Sequence, residues 1–416
     1  MHTVRELVEK VNQDPRRGEG HATSLTKIRL DDIALGRLEL QHLTPESVPE
    51  KGRRVILRNN ANLSTGGTAT DVTDDVHPEV AARAVAAAQM VGLDICGVDV
   101  VCESVLHPLE EQGGGVVEVN AAPGLRMHLS PSFGKGRDVG EAVIATMFPN
   151  GEDARVPVIA VTGTNGKTTT VRMTAHILEA TGLCVGWTTT DGVRVAGHWI
   201  DKGDCSGPRS ARKVLMHPDV DAAVFETARG GILREGLGFD HCQVAVVTNI
   251  GQGDHLGLNY ITSVEDLAVL KSVIVQSLPL GGTAVLNAAD PIVAKMGANC
   301  RAEVIYFALS PHHPVLSLHR TQGKRVIFVD EGAIFGAHGE NIVWRIPLAD
   351  IPLTGGGLFK FQIENAMAAA GATWALGLTG EQLARGLMTF VNDAETTPGR
   401  FNTFQYRGAT VIADYG

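Results

Sequence analysis

A glycine-containing loop near the middle of the chain has the composition of a phosphate-binding site. A run of small and β-branched apolar residues ending at Thr162 predicts a buried strand, and helical spacing resumes about ten residues later. A helix N-terminus that follows such a loop offers backbone N–H groups and partial positive charge to phosphate oxygens. We therefore expect a nucleotide to contact the loop residues, which are Gly163, Thr164, Asn165, Gly166, Lys167, Thr168 and Thr169.

Two side chains of this loop have a predicted chemical role. In nucleotide-binding loops of the pattern G-x-x-x-x-G-K-[ST], the lysine reaches the β and γ phosphates and the hydroxyl binds Mg²⁺. Lys167 and Thr168 occupy these positions, although Val161 stands where the pattern has its first glycine. An ordinary strand-to-helix turn is the alternative. The agreement of strand, loop, hydroxyls and helix favours the nucleotide site.

Acidic residues at predicted strands suggest two magnesium sites. Asp99 lies in one predicted strand, and Glu118 and Asn120 lie two residues apart in another, so the latter two share a face. Oxygen ligands of this kind suit Mg²⁺. The flanking Val and Ile residues predict that the acids are buried. In the second half, Glu226 ends a predicted strand and is expected to face Thr168 as a second Mg²⁺ ligand.

Two further segments have more than one interpretation. His255, next to Asp254 after a predicted strand, is either a ligand or second-sphere partner of a metal ion or an ordinary loop histidine, and we favour the first. Arg58 precedes a loop rich in Gly, Asn and hydroxyl residues, including 64–67, which offers donors to a carboxylate or phosphate. A plain surface loop is the alternative there.

Composition predicts a globular cytoplasmic enzyme. The chain has 416 residues, enough for two or three domains, with 44% hydrophobic and 20% charged residues. A net charge of −10 argues against a nucleic-acid surface. The 6 cysteines show no C-x-x-C pairing and predict reduced thiols. No apolar run reaches membrane-spanning length, and the N-terminus has no signal-peptide core.

The order of predicted elements gives an α/β protein. Strands alternate with helices after residue 155, which predicts a parallel sheet with functional residues at the carboxyl ends of its strands. The remaining predicted elements of the first half are a helix at the N-terminus, a short strand from Arg53 to Leu57, and a helix from His77 through Met90 with its Ala, Val and Met residues buried. Those of the second half are a β-insert within 301–353 with strands from Lys324 to Val329 and from Ile342 to Ile346, an Ala-rich helix from Asn365, and a buried strand from Ala409 to Asp414.

The first part of the chain resembles the C-terminal half of an ATP-grasp domain. The motif Glu-Val-Asn-x-x-Pro-Gly at 118–124, after Asp-Val-Val at 99–101, carries the resemblance. It implies that Asp99, Glu118 and Asn120 hold the Mg²⁺ ions of ATP, and that Arg58 and the 64–67 loop face the substrate carboxylate or acyl phosphate. We assign residues 1–150 to this domain.

The second part resembles the central domain of the Mur ligases and folylpolyglutamate synthase. Its motifs are the 163–169 loop, Glu226, Asn249 with Asp254-His255, Lys271, Asn287 with Asp290-Pro291, Asn365, Pro398-Gly399-Arg400 and Asp414-Tyr415-Gly416. The resemblance covers 151–400, and 401–416 would begin a further domain.

This second resemblance implies roles for individual residues in an ATP-dependent ligase. Asn249 and Asn365 would bind the nucleotide, the latter at the adenine, and Arg400 and Asp414 would meet it from the hinge side. His255 would help hold a second ion. Lys271 matches a position that is carbamylated in several Mur ligases, and a plain exposed helix lysine is the alternative.

The order of the two domains resembles the cyanophycin synthetase family along essentially the whole chain. That resemblance implies ATP and Mg²⁺ as cofactors, L-Asp, L-Arg and a cyanophycin primer as substrates, and a homo-oligomer without nucleic-acid or membrane partners. Members of the family extend beyond both ends of this chain, so we expect an internal fragment with little activity of its own. The alternatives are a folate-type amino acid ligase and a non-catalytic nucleotide-binding module.

Overall fold

The computed structural model describes residues 2–15, 17–19, 25–59, 68–151, 153–251, 261–394 and 397–414. The predicted roles of His255 and of the 64–67 loop lie outside these residues. The chain divides into two compact units, Met1–Ala154 and Arg155–Gly416. Within the described ranges, no helix is both long and apolar enough to cross a bilayer.

The first unit contains short helices and two small strand pairs. Its elements are α1 (Val4–Asn12), β1 (Arg17–Gly18), β2 (Leu25–Thr26), α2 (Asp32–Glu39), α3 (Pro78–Val91), β3 (Gly97–Val101), a 3-10 turn (Glu110–Gln112), β4 (Gly115–Asn120), α4 (Arg126–Leu129) and α5 (Val139–Met147). Strands β1 and β2 pair in parallel, and β3 and β4 form an antiparallel pair.

Local chemistry explains the helix ends of this unit. Thr3 and Glu6 form a reciprocal capping box at the start of α1. Helix α3 begins at a proline and ends at Gly92 in the left-handed conformation, as the sequence predicts. A small core of Val4, Val8, Leu38 and Leu43 joins α1 to α2.

Three sequence predictions for the first unit are wrong. Residues 53–57 form no strand, although Val55 and Leu57 pack against the small core. Met90 of α3 is 89% exposed, and Val80 is the one fully buried residue of that helix. Asp99 and Glu118 are exposed, and among the described residues their strands form only a two-stranded pair.

The second unit is built on a large mixed sheet. Its strands are β5 (Val158–Thr162), β6 (Val185–Thr189), β7 (Gly192–Val195), β8 (His198–Lys202), β9 (Ala222–Glu226), β10 (Val244–Val247), β11 (Thr283–Asn287), β12 (Glu303–Ala308), β13 (Arg325–Asp330), β14 (Ala333–His338) and β15 (Asn341–Pro347). A separate hairpin follows, of β16 (Asn402–Tyr406) and β17 (Ala409–Ala413).

Strand order confirms the predicted mostly parallel α/β sheet. Among the described residues the order is β15-β14-β13-β12-β11-β10-β5-β9-β6-β7-β8. The strands from β13 to β6 in this order run parallel, and antiparallel strands extend both edges. The predicted strands at 324–329 and 342–346 are confirmed as β13 and β15. Their interpretation as an insert is wrong, because β13, β14 and β15 continue the main sheet. The exposed β17 also contradicts the predicted buried strand.

Helices cover both faces of this sheet. They are α6 (Lys167–Glu179), α7 (Pro208–Leu215), α8 (Arg229–Glu235), α9 (Val264–Gln276), α10 (Pro291–Met296), α11 (Pro314–Thr321), α12 (Lys360–Ala375) and α13 (Gly380–Thr389), with 3-10 turns at Gly297–Asn299, Leu348–Asp350 and Pro352–Thr354. Helix α12 starts five residues before the predicted Asn365.

The central strand β5 contributes to both cores. Ile159 and Val161 pack with α6, α12 and α13, whereas Val158 and Ala160 pack on the opposite face with α7, α9, α10 and α11. This alternation follows from the two-residue period of a strand. Burial on both faces explains why the segment is continuously apolar. It also fixes the carboxyl end of β5, where the chain enters the predicted phosphate loop.

Candidate nucleotide and ligase site

Two glycines give the loop after β5 its shape. Gly163 and Gly166 have φ angles of +151° and +84°. A Cβ at Gly163 would lie 2.0 Å from the Thr248 hydroxyl oxygen, and one at Gly166 would lie 2.2 Å from the Asn365 amide oxygen. Larger residues are excluded at both positions by conformation and by contact. The backbone of the loop is therefore packed directly against Thr248 and Asn365.

Residues after β10 support the loop from below. The Asn249 side chain accepts a hydrogen bond from the Asn165 backbone N–H (2.9 Å) and donates one to the Asn165 carbonyl (3.1 Å). The Thr248 hydroxyl donates to the same carbonyl at 2.7 Å. The structure thus places Asn249, a predicted nucleotide contact, beneath the loop. Its side chain holds the loop in place. The sequence position of Asn249 alone does not distinguish support of the loop from contact with a nucleotide.

The first turn of α6 points toward a cleft. No side chain among the described residues caps this helix, whose N-cap is Gly166. An α-helix leaves the N–H groups of its first turn without partners inside the helix, and they attract anions. Lys167 opens α6, and its ammonium donates to the Thr164 carbonyl at 2.9 Å. The loop therefore holds its cation close to its own backbone.

Thr168, Thr190 and Glu226 form the centre of the site. The Thr168 hydroxyl donates to Glu226 Oε2 at 2.8 Å, and the Thr190 backbone N–H approaches the same oxygen at 3.3 Å. The two threonine hydroxyl oxygens are 3.4 Å apart. Glu226 ends β9, the strand next to β5, so the predicted pairing of Glu226 with Thr168 matches their observed contact.

The Glu226 carboxyl is almost fully buried, with 2% exposure. Burial raises the pKa of Glu226 above its ordinary value, and the Lys167 ammonium and the hydrogen bond from Thr168 oppose that rise. A buried acid with few donors is energetically costly without a cation. The group is therefore suited to a bound positive ion.

Arg400 reaches the cluster from the C-terminal part of the unit. Its Nη2 donates to the Thr190 hydroxyl at 3.1 Å and lies 3.4 Å from the Thr168 hydroxyl. The Asp414 carboxylate accepts from the Phe401 backbone N–H at 3.2 Å. The structure therefore brings Arg400 to the predicted site, and it places Asp414 at the adjoining turn.

Lys271 is buried, so the alternative interpretation as an exposed helix lysine is wrong. It lies on α9 with 3% exposure, and its Nζ donates to the Gly163 carbonyl at 2.7 Å. The side chain thus links α9 to the first glycine of the phosphate loop.

The phosphate loop, Thr190, Glu226, Lys271 and Arg400 line one cleft of about 1150 Å³ within the second unit. Asn365 lies beside Gly166 and donates to Gln362 at 2.9 Å, so it touches the phosphate loop. Phe361 and Phe401 stack edge to face, with centroids 5.0 Å apart, on the cleft wall. The cleft lining also carries charged residues of both signs, which are the cations Lys202, Arg209, Lys213, Arg229 and Arg234 and the acids Asp201, Asp204 and Glu235.

The donor set fits Mg²⁺ and a nucleotide. Mg²⁺ takes one or two protein oxygens and completes its shell with phosphates and water. Thr168 and Glu226 supply such oxygens beside a glycine loop that has no room for a Cβ. In the described part of the chain, no group of three or more His, Cys, Asp or Glu side chains could hold a metal ion.

The predicted metal set of the first unit is arranged on one hairpin. Asp99 pairs directly with Glu118 across β3 and β4, and Asn120 pairs with Gly97. Opposed residues of an antiparallel pair share a face, so the three predicted ligands point the same way. Arg58 forms an ion pair with Asp31 at the edge of the loop that lies outside the described residues.

Sequence reasoning assigned no role to Thr190, Asp191, Arg172 or Thr248. Thr248 contacts the loop, Thr190 contacts Glu226, and Arg172 pairs with Asp191. Each contact joins residues from different elements, and no local pattern reports such contacts. The one available signal is the run of hydroxyl residues Thr188-Thr189-Thr190 at the end of a predicted strand.

Comparison with known proteins identifies the second unit. Residues 161–373 match the family model "Mur ligase middle domain", which covers the loop, β9, β10 and α12. The chain belongs to the Mur ligase family. Among solved structures, the pseudomurein peptide ligase type C from Methanothermus fervidus is similar with a TM-score of 0.44 and 21% identity, over 71% of this chain and 64% of that one.

Curated relatives of this Mur ligase-family chain extend the match to both units. Cyanophycin synthetase of Crocosphaera subtropica is 44% identical over 414 residues, 100% of this chain and 47% of that protein. The chain thus spans about half the length of the cyanophycin synthetases it matches. The bifunctional glutathione biosynthesis protein of Clostridium perfringens is 38% identical over 146 residues, 35% of this chain and 19% of that protein.

Proposed function

We propose that the second unit is an ATP-dependent ligase that activates a carboxylate and joins it to an amine. The observation that carries the proposal is the contact of the Thr168 hydroxyl with the buried Glu226 at the mouth of a glycine loop that bears Lys167. Thr168 and Glu226 would hold Mg²⁺, and Lys167 would bind the terminal phosphates. The bound ion would neutralise phosphate charge.

The proposed chemistry needs positioning and charge neutralisation. A carboxylate is a poor electrophile, so its oxygen first attacks the γ-phosphorus of ATP, forming an acyl phosphate and releasing ADP. An amine then attacks the acyl carbon, loses a proton and expels inorganic phosphate. Phosphoryl transfer of this type depends on alignment and electrostatics. Lys167 and Arg400 are the cations of this chain that would face the transferred group.

The cleft has room for an acceptor beside the nucleotide. Its volume of about 1150 Å³ exceeds the range of roughly 300–1,000 Å³ typical of single small-ligand sites. The cations Arg229 and Arg234 of the cleft lining would attract an acidic acceptor. Asn365 and Asp414 would contact the nucleotide, and Asn249 would hold the phosphate loop. His255 and Lys271 would help to bind a second Mg²⁺ ion. Lys271 would do so after carbamylation of its side chain.

For the whole protein we propose the synthesis of multi-L-arginyl-poly-L-aspartate in the cytoplasm. The similarity to cyanophycin synthetases, which extends along this whole chain and covers 47% of each of those proteins, supports this proposal. The second unit would add L-Arg to aspartate side chains of a primer. The first unit would form the C-terminal half of an ATP-grasp domain that adds L-Asp, with Asp99, Glu118 and Asn120 holding Mg²⁺ and Arg58 facing substrate. The match to a glutathione biosynthesis protein supports this assignment. A homo-oligomer is part of the proposal.

The test uses the full-length gene product with ATP, primer, labelled L-Asp and labelled L-Arg. We expect both labels in polymer, with release of ADP and phosphate. Lys167→Ala should stop arginine addition, and Glu118→Ala should stop aspartate addition. Lys324→Ala, a lysine outside the cleft, is the control. Stimulation by glutamate and a folate without arginine would overturn the polymer assignment, and nucleotide binding without turnover would overturn the ligase.

A further inference from the structure

A buried ion pair lies one helical turn along α6 from Thr168. Arg172 Nη2 contacts Asp191 Oδ2 at 2.7 Å, and the two side chains are 4% and 23% exposed. The Arg172 guanidinium also lies 5.4 Å from the Trp187 ring centroid on β6. The pair therefore links the nucleotide-binding helix to the end of strand β6.

Asp191 belongs to the tight turn that joins β6 to β7. Thr190 and Asp191 are the two residues between β6 and β7. Two-residue hairpin turns favour types I′ and II′, which need a positive φ at the first or at both central residues. Neither Thr190 nor Asp191 has a positive φ. Gly192, directly after them, has φ of +154°, and the Asp191 backbone N–H donates to the Thr189 hydroxyl at 3.2 Å. Arg172 adds a contact from α6 through the Asp191 side chain.

Thr190 transmits the position of this turn to the site. Its N–H lies 3.3 Å from Glu226 Oε2, and its hydroxyl oxygen lies 3.1 Å from Arg400 Nη2 and 3.4 Å from the Thr168 hydroxyl oxygen. Thr190 lines the cleft, whereas Arg172 and Asp191 are not among the cleft-lining residues. Thr190 is thus the residue of this turn that lines the cleft, while Arg172 lies on the same helix as Thr168 and its charge also acts on Glu226.

We propose that Arg172 and Asp191 are positioning residues for the magnesium–nucleotide site. Their ion pair fixes the Thr190 turn, so that Thr168 and Glu226 present their oxygens to one Mg²⁺ ion. This inference rests on the proposed nucleotide site. Groups that orient metal ligands from behind typically change metal affinity by about 10–100-fold when they are lost.

The experiment measures Mg²⁺ binding in the presence of ADP, by calorimetric titration of the full chain. Arg172→Met and Asp191→Asn should each weaken Mg²⁺ affinity about 10–100-fold, and ADP binding without Mg²⁺ should stay at the wild-type level. Arg172→Lys keeps a cation near Asp191 and should recover part of the affinity. Asp191→Asn provides the test if Arg172→Met fails to fold.

Arg325 offers a matched control in the same unit. Its Nε contacts Glu303 at 2.7 Å, and its guanidinium lies 5.1 Å from the Trp374 ring centroid, yet it does not line the cleft. Arg325→Met should lower thermal stability and leave Mg²⁺ affinity unchanged. Wild-type Mg²⁺ affinity in both Arg172→Met and Asp191→Asn would overturn the inference. If the wild-type chain shows no Mg²⁺-dependent ADP binding, the proposed function itself fails.

Discussion

The Thr168 hydroxyl and the Glu226 carboxylate are joined by a 2.8 Å hydrogen bond, although 58 residues separate them in the chain. Strand β9 pairs in parallel with β5, so the carboxyl end of β9 lies beside the loop that leads into α6. Parallel pairing thus places Glu226, at the end of β9, next to Thr168, on the helix that follows β5. Open α/β sheets place ligands at this edge for the same reason.

Removing the Thr168 hydroxyl should abolish magnesium-dependent nucleotide binding. Thr168→Val keeps the side-chain shape but leaves Glu226 without that donor, and an unsatisfied buried group costs about 1–3 kcal/mol. We therefore expect lower stability as well, measured by urea denaturation. Thr170→Val is the matched control, because Thr170 is buried on the same helix and its hydroxyl has no hydrogen-bond partner among the described residues. Equal nucleotide affinity and equal stability of the two variants would contradict the assignment of Thr168 as a Mg²⁺ ligand.

Burial of Glu226 predicts a pH-dependent stability without ligand. Because burial raises the pKa of Glu226 above its ordinary value of 4.5, the folded chain binds this proton more tightly than the unfolded chain. The stability contributed by the neutral form is fully present below the unfolded pKa. It decreases as pH rises through the raised folded pKa.

Glu226→Gln should remove this pH dependence. The variant should match the wild type in acid and exceed its stability at neutral pH, while it loses Mg²⁺ binding. Urea titrations from acid to neutral pH measure the difference, with the exposed Glu265→Gln as the control for loss of charge. If the free energies of unfolding of Glu226→Gln and the wild type differ by a constant amount across the pH range, Glu226 is not the source of the pH dependence.

The strand–loop–helix at 158–179 and the mostly parallel sheet could be predicted from the sequence, because both depend on local periodicity. Apolar residues continue without alternation in β5, β9 and β11, which is typical of strands covered on both faces. The contact between Thr168 and Glu226 then follows if β9 lies next to β5. Sequence alone does not fix that strand order.

Failures arose where burial depends on distant partners. Val residues around Asp99 and Glu118 suggested a buried strand, yet only a two-stranded pair forms there among the described residues, so both acids are exposed. The β13–β15 segment appeared to be an insert because local patterns do not report that β13 pairs in parallel with β12. The support of the loop by Asn249 likewise depends on tertiary contacts.

A methyl group at Gly166 should disable the loop. Gly166→Ala would strain a residue with φ of +84° and press its Cβ against the Asn365 amide oxygen, 2.2 Å away. Left-handed conformation alone costs about 1–2 kcal/mol for residues with a Cβ. Gly182→Ala is the control, since Gly182 has φ of +92° and a methyl group there would meet no atom of the described residues within 4 Å.

We expect Gly166→Ala to lose more stability than Gly182→Ala, and to lose ADP binding as well. Adding Asn365→Ala should recover part of the stability, because it removes the atom that the methyl group meets. Thermal denaturation of the single and double variants measures both effects. Identical losses in the two glycine variants would show that the contact with Asn365 has no energetic consequence.

Lys271 should stabilise the loop from the opposite side. Its Nζ donates to the buried Gly163 carbonyl at 2.7 Å, and the side chain is 3% exposed. Lys271→Met keeps most of the apolar stem but leaves that carbonyl unpaired, at a cost of about 1–3 kcal/mol. Lys295→Met, at an exposed lysine on α10, should be close to neutral. Because Gly163 precedes Lys167 and Thr168, Lys271→Met should also weaken ADP binding. Wild-type stability of Lys271→Met in urea would show that the Lys271–Gly163 contact does not hold the loop.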